Sequence, residues 1–411
     1  MVKSPCRSCR QNDLRVVHVF PESPYGDLYA ESRSASTKLS FHPLTLSRCT
    51  GCGLLQLLHK TDLDAQYLEY LYFTRVTNKL RDLYENITKN LTAVLSLSQD
   101  DLIIDIGSND GTFLSCFEPE FPKLLGVDPS RPACRIANEA GVETWNEYFG
   151  LEVAKRIKTD LGIPRLITIN YTLANVPDLA EFFDSLIEIM DTKTFVNIVT
   201  GYHLDQFEVG MFDYVGHDHL TYLTIHDIKN LCEARGLEIC YVRRHEHKGG
   251  SIEVGISRHD STFVIEDSVT QMLQREKWLG YATDNKIYSM LARIELNKKI
   301  AHSILVSFQS QDRKIGGIGA SISSTALLFT FGISGFFDCL YDDDPRKIGK
   351  FSPGTGIEVS KLEDVYLNNN SLVVVLSWQH TSKLMSRLKE VGYSGPVLVP
   401  MPEIELMSFG K

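Results

Sequence analysis

The chain has 411 residues, 43% hydrophobic and 23% charged, with a formal net charge of −10 at pH 7. Such a length exceeds one ordinary core and predicts two or three domains. No run approaches the roughly 20 apolar residues of a membrane helix, the opening MVKSPCRSC lacks an apolar stretch behind its charge, and scattered Lys and Arg exclude a broad nucleic-acid surface; a cytoplasmic protein is expected.

Residues 1 to about 65 are rich in polar turns, with Pro21, Pro24, Gly26 and Pro43 interrupting any long element, so little core of their own is expected. They carry Cys6-x2-Cys9 and Cys49-x2-Cys52, the second followed by Gly53. A CxxC turn aims two thiolates at one point, and two such turns complete the tetrahedron that Zn²⁺ prefers. Four sulfur ligands leave no open position, so the zinc is structural and substitutes for the missing core. A disulfide or a redox pair is the competing reading, and a reducing compartment disfavours it. The other five cysteines stand alone in apolar or helical surroundings and read as buried thiols.

Helical spacing from Leu63 to Leu97 leads into an alternation of short apolar runs and helices: LIIDI, KLLGVD, a helix from Arg131 to Ala140, RLITIN, a helix from Leu179 to Met190, and TFVNIV. That rhythm predicts a parallel sheet with helical crossovers. The loop FDYVGHDHLTYLT, a helix near Ile225 to Arg235, and the strands LEICYVRRHE and SIEVGISR follow. After a long helical region from Ile265 to about Ser310, the α/β rhythm restarts with KIGGIGA, GFFDCLYDDD, SLVVVLSW and PVLVPMP.

In LIIDIGSNDGTFL an acid ends an apolar strand before a turn of Gly107, Ser108, Asn109, Asp110 and Gly111. Gly107 permits close approach of a ligand and Gly111 lets the turn enter an apolar helix. The third glycine of GxGxxG is absent, and Asp110 would repel a pyrophosphate. A cationic, phosphate-free ligand such as S-adenosylmethionine fits better. Asp128, about 20 residues on at the end of the second strand, is placed to accept both ribose hydroxyls; Asp105 could orient the loop or meet the methionine ammonium. A plain strand and turn with a capping Asp is the alternative.

Several segments in order resemble the sugar C-methyltransferases that act on nucleotide-linked keto-deoxysugars: the quartet ending in CTGCGLLQL, YLYFT, DIGSNDGT, NYTLANVPDL, FDYVGHDH, KGGS, GGIGAS, DDDPRKIGKFSPGTGI and LSWQH. The resemblance spans nearly the whole chain. It implies an α/β protein with a zinc-binding N-terminal domain (1–65), a central Rossmann-like class I methyltransferase domain (66–260), and a helical linker with a C-terminal Rossmann-like substrate domain (261–411). It implies methyl transfer from S-adenosylmethionine to carbon alpha to a keto group, with Tyr72, His217, Asp218 and His219 in the active site and a nucleotide sugar as substrate. Gly216 stands where many members have Tyr, Asp218 where they have Glu, Asn175 where they have His, and Ile318 and Ser323 where they have Tyr and Lys. These departures fall on the acceptor side and keep open methyl transfer to oxygen or nitrogen of another small molecule, or a non-catalytic zinc-stabilised binding protein.

Carbon methylation needs a base, an enolate stabiliser and an aligned methyl. Histidine suits the base, its unperturbed pKa of ~6.5 lying near working pH. If the segment is extended, His217 and His219 face one side and Asp218 the other; alignment with the family cluster favours His219 as base, although a polar loop capping the next helix is also consistent. Tyr72 is either a donor or a packed aromatic, and Tyr222 is a candidate for the absent tyrosine hydroxyl. Gly249 and Gly250 either form a hairpin turn or let a loop approach substrate. Gly317, Gly319 and Ser321 could present backbone N–H groups to a diphosphate, with Lys347 and Arg346 as local positive charge; Trp378 stacks on a ligand or fills a core.

Overall fold

The structure, a computed structural model, describes residues 5–68, 73–76, 78–118, 123–311, 313–365 and 372–408. The chain forms two compact units: residues 1–16, 47–206 and 218–283 make the first, and residues 17–46, 207–217 and 284–411 the second.

In the first unit, strands β1 (Ile103–Ile106), β2 (Leu124–Asp128), β3 (Thr144–Asn146), β4 (Leu166–Asn170), β5 (Phe195–Gly201), β6 (Leu237–His245) and β7 (Ser251–Arg258) form one sheet in the order β3-β2-β1-β4-β5-β7-β6. The pairs from β3 through β5 are parallel, and β7 runs antiparallel to both β5 and β6. β1, β4 and β5 are buried at every position, which explains why they read as mostly apolar runs without one solvent-facing polar side. The order reverses between β1 and β4, and in open α/β sheets ligands bind at such a switch point, beyond the carboxyl ends of the strands.

Helices α1 (Asn78–Leu95), α2 (Arg131–Glu139), α3 (Leu151–Asp160), α4 (Leu179–Glu188), α5 (Ile225–Glu233) and α6 (Asp267–Leu279) complete this unit. Their starts follow local chemistry. Ser130 caps α2, which has Pro132 in its first turn; Asp178 caps α4; Thr224 and Asp227 form a reciprocal capping box on α5. Gly280, left-handed at φ +70°, ends α6. The helical region expected from Ile265 to Ser310 is therefore two helices, because a residue without Cβ adopts the turn-out conformation there.

The second unit carries β8 (Ile315–Ile318), β9 (Cys339–Asp342), β10 (Val359–Lys361), β11 (Leu372–Val375), β12 (Pro396–Val399) and β13 (Glu405–Ser408) in the order β10-β9-β8-β11-β12-β13. All pairs are parallel except the last. Helices α7 (Asn285–Gln309), α8 (Ile322–Phe331) and α9 (Thr381–Glu390) belong to it. The α/β architecture expected from the sequence is present in both units. The N-terminal region is more regular than expected: Leu14–Ser23 and His42–Cys49 are strands despite Pro21 and Pro43. Among the described residues no helix is long and apolar enough to cross a membrane.

Candidate cofactor site, metal centre and acceptor residues

The four cysteine sulfurs of Cys6, Cys9, Cys49 and Cys52 lie within 4.8 Å of one another, with Cys6 and Cys52 3.5 Å apart and Cys9 and Cys49 3.6 Å apart. Zn–S bonds of about 2.3 Å in a tetrahedron place sulfurs roughly 3.8 Å apart, so the quartet fits that ion; a disulfide, at about 2.05 Å, is not formed. Each knuckle closes in the same way: Arg10 N–H donates to the Cys6 carbonyl at 2.9 Å and Gly53 N–H to the Cys49 carbonyl at 3.0 Å. Both closing residues are left-handed, Arg10 at φ +60° and Gly53 at φ +86°. Between the first two cysteines, Arg7 is buried and donates to the Pro177 and His59 carbonyls, both at 3.0 Å. Its own carbonyl accepts from Leu179 N–H at 2.8 Å, so the knuckle is docked on the start of α4.

The turn after β1 is held by β2: Gly107 N–H donates to the Val127 carbonyl at 2.8 Å and Asn109 N–H to Asp128 Oδ2 at 2.9 Å. Asp128 Oδ1 accepts from Ser130 N–H at 2.8 Å. Burial raises the Asp128 carboxyl to about 6, against the two backbone donors that favour its charge. Asp105 at the end of β1 accepts from Thr168 Oγ1 at 2.7 Å and Asn170 Nδ2 at 3.1 Å, and burial raises it to about 7. The Asp110 carboxylate is engaged within the protein. Its Oδ1 accepts from Thr112 Oγ1 at 2.5 Å, and its Oδ2 from Arg75 N–H at 3.1 Å.

Gly107 is left-handed at φ +74°, and a Cβ there would lie 2.0 Å from Thr172 Oγ1. Gly111, also at φ +74°, would bring a Cβ to 3.1 Å from Val142 and 3.2 Å from Ala137. A bound S-adenosylmethionine would find the Asp128 carboxylate for its ribose and backbone polar groups at Gly107 and Ser108. It would also meet a buried oxygen without a hydrogen-bond partner, Asn170 Oδ1. Unpaired buried polar atoms at the carboxyl end of a sheet fit a polar ligand, so the residues suit this cofactor. Asn170, Thr74 and Arg75 were not singled out from the sequence; only the position of Asn170 as the last residue of RLITIN carried a signal.

On the acceptor side, the GHDH segment is a turn. The alternation argued for an extended chain therefore does not apply. Within the first unit, Tyr67 Oη donates to the Asp218 carbonyl at 2.9 Å, and Asp218 Oδ1 lies 3.6 Å from His219 Nδ1. Leu220 N–H donates to the Ala174 carbonyl at 2.7 Å, which brings the His219 turn beside Asn175, whose amide oxygen is buried without a partner. Tyr222 is buried in a short strand paired with Leu55–Leu57. Gly250, at φ +129°, lies over Asp205, where a Cβ would approach the Asp205 Cβ to 2.6 Å; it and Gly249 close the hairpin between β6 and β7. Tyr72 lies outside the described residues.

Within the second unit, His217 Nε2 is 3.3 Å from the His42 carbonyl, and its ring stands edge-on to Tyr25 and His42, themselves stacked 4.2 Å apart. Gly317 is needed for packing, since a Cβ would meet Leu376 at 2.6 Å and Leu340 at 2.7 Å. Gly319, at φ +96°, passes equally close to Ser377. Ser321 caps α8 and lies 2.9 Å from Ser377 Oγ; Lys347 Nζ donates to the Ala320 carbonyl at 2.7 Å and pairs with Asp27 at 3.0 Å. Arg346 is paired with Asp344. Trp378 is buried and donates its indole N–H to Asp213 Oδ2 at 3.0 Å, which Gln379 also reaches at 2.5 Å; burial raises Asp213 to about 7.

Three family models match the chain in succession: a "Putative zinc binding domain" over residues 6–67, a methyltransferase domain over 76–242, and a C-methyltransferase C-terminal domain over 246–402. The C-methyltransferase NovU of Streptomyces niveus is 26% identical over 407 residues, covering 98% of this chain and 96% of that protein. Among solved structures, the plantazolicin methyltransferase BpumL in complex with SAH aligns at 15% identity over 45% of this chain and 86% of its own, with a TM-score of 0.36. The magnesium protoporphyrin IX methyltransferase ChlM from Synechocystis PCC 6803 aligns at 12% over 43% and 79%, with a TM-score of 0.32.

Proposed function

We propose that the chain, whose successive segments match a zinc-binding domain, a methyltransferase domain and a C-methyltransferase C-terminal domain, is an S-adenosylmethionine-dependent methyltransferase that methylates the carbon alpha to the keto group of a nucleotide-linked deoxysugar. The observation that carries this reading is the placement of His219, with Asp218 3.6 Å from its Nδ1, on a turn tied to the Ala174–Asn175 backbone. The whole-length similarity to a C-methyltransferase supports carbon as the acceptor atom.

S-adenosylmethionine supplies the electrophilic methyl on a sulfonium. His219 takes the proton from the acceptor carbon, the C–H electrons become the C=C of an enolate, and the carbonyl oxygen gains the charge. Asp218 stabilises the imidazolium that results, an arrangement that favours proton abstraction near neutral pH. The side-chain amide of Asn175, beside this turn, supplies a donor for the enolate oxygen. Asp128 holds the ribose. In the C-terminal domain, the Gly319–Ser321 turn with Lys347 is our candidate for the diphosphate of the substrate. The domain boundaries we adopt are those expected from the sequence, 1–65, 66–260 and 261–411.

Mass spectrometry of a nucleoside-diphosphate keto-deoxysugar incubated with the protein in D₂O tests the reading. Exchange at the alpha carbon, lost in His219→Asn, is the expected result. Methyl transfer without exchange points to an oxygen or nitrogen acceptor, an alternative motivated by Gly216 and Asn175 in place of the family residues. No binding of S-adenosylmethionine would leave a zinc-stabilised binding protein.

A further inference from the structure

The short 3₁₀ turn Thr74–Val76 is laid on the cofactor loop and tied to two of its side chains. Thr74 N–H donates to Asn109 Oδ1 at 3.0 Å, and the Thr74 hydroxyl to the same oxygen at 3.3 Å. Arg75 N–H donates to Asp110 Oδ2 at 3.1 Å, and Arg75 Nε lies 3.4 Å from that oxygen. Asn109 is left-handed at φ +50°, so its side chain is presented to this turn by an unusual backbone state that the surroundings must hold in place.

The consequence for charge is specific. The Asp110 side chain is fully buried, with Thr112 on one oxygen and Arg75 on the other. It acts inside the protein, as the anchor of a guanidinium. Arg75 itself has a half-exposed side chain. A guanidinium has two donor edges; Asp110 occupies the Nε side, and among the described residues nothing occupies the Nη1–Nη2 edge. Among the described residues, Asp128 accepts from the loop at Asn109 N–H and Arg75 is a cation hydrogen-bonded to it. S-adenosylmethionine carries one anionic group, its α-carboxylate, and a carboxylate is the group that a planar guanidinium edge binds with two parallel hydrogen bonds.

We propose that Arg75 binds the α-carboxylate of S-adenosylmethionine through its Nη1–Nη2 edge, with Asp110 as the positioning residue that holds the guanidinium at the loop. The assignment rests on the cofactor and is independent of the acceptor. It also gives Asp110 a role different from direct contact with a cationic ligand.

Calorimetry with two probes separates this role from a purely structural one: S-adenosylmethionine and decarboxylated S-adenosylmethionine, which keeps the ammonium and sulfonium and lacks only the carboxylate. In Arg75→Gln, binding of the first is expected to weaken roughly 10- to 100-fold, as for loss of a charged hydrogen-bonded pair, and binding of the second to change less than about twofold. Arg75→Lys should recover part of the loss, and Asp110→Asn should weaken the first probe more than the second. Equal weakening of both probes in Arg75→Gln, with its thermal transition unchanged, would overturn the proposal, as would no weakening of either. Failure of the unmodified protein to bind either probe would instead remove the cofactor reading itself.

Discussion

Gly107 and Thr172 compete for the same space: a Cβ at position 107 would sit 2.0 Å from Thr172 Oγ1 and 2.8 Å from its Cβ. The two residues belong to neighbouring strand ends, β1 and β4, on either side of the point where the strand order reverses. The glycine is therefore required twice over, by its left-handed backbone and by its neighbour. Gly107→Ala should reduce affinity for S-adenosylmethionine by more than tenfold and lower the thermal midpoint. Adding Thr172→Ala should recover part of both, because it relieves the collision and leaves the backbone strain of about 1 kcal/mol or more. Calorimetry and thermal unfolding on the single and double variants check this.

Asp128 and Asp105 set a pH dependence. Burial is the largest cause of both shifts, raising the carboxyls from 3.8 to about 6 and about 7. Ionised Asp128 is the form that accepts from ribose hydroxyls, so affinity for S-adenosylmethionine should be flat above about pH 7 and fall as pH drops through 6. Asp128→Asn should weaken binding roughly 10- to 100-fold and flatten the profile. For stability the sign is opposite. Above 3.8 the unfolded chain has released protons that the folded apo chain keeps, so the contribution of these acids is full below that pH and is lost as pH rises through 6 to 7. Urea midpoints between pH 4 and 8 read it.

His219→Ala should lower turnover by roughly 10²- to 10⁴-fold, the usual contribution of a positioned base, with affinity for S-adenosylmethionine within about twofold of the unmodified protein. Asp218→Asn should fall between them, since it leaves the imidazole and removes the charge near it. Single-turnover rates with a competent acceptor measure both. A loss of cofactor affinity as large as the loss of rate would place His219 outside the acceptor chemistry.

The cysteine quartet predicts one zinc per chain. Cys49→Ser should reduce the metal content to near zero by atomic absorption and loosen the packing of the knuckle on α4, where Arg7 reaches the Pro177 and His59 carbonyls. A chelator strong enough to strip the ion should lower the thermal midpoint of the unmodified protein to that of the variant, because the metal's binding energy is folding energy here.

Glu276, fully buried, accepts from Ile225 N–H at 2.6 Å, His226 N–H at 3.0 Å and His226 Nδ1 at 2.5 Å, and so closes the first turn of α5. Glu276→Gln should destabilise the fold by about 2–4 kcal/mol without altering cofactor affinity of the folded fraction. Denaturant unfolding gives the first number and calorimetry the second.

Much of this was legible in the sequence because it is encoded locally. The buried strands read as apolar runs, the helices beginning at Arg131, Leu179 and Ile225 were placed by their apolar spacing, and the paired CxxC spacing announced its own geometry. The turn after β1 was visible from Gly107 and Gly111. What stayed hidden depends on where side chains turn after the chain has folded. Asp110 looked like a group facing a cation, yet it is spent on Thr112 and Arg75, 35 residues upstream of it. GHDH looked able to alternate, but a turn is compatible with the same residues. Trp378 could have stacked on a ligand; a buried acid from a distant segment, Asp213, claims its N–H. Contacts of that separation leave no periodic trace.

The six segments that make the two units alternate along the chain, so the polypeptide passes from one to the other five times. Residues 17–46 emerge early in synthesis, but the rest of their unit is complete only after the long stretch beyond residue 283 has been made. For the same reason no single breakpoint in the gene exchanges one unit intact. A recombinant that joined the first 283 residues of one relative to the remainder of another would carry a second unit of mixed parentage, with residues 17–46 and 207–217 from one parent and 284–411 from the other.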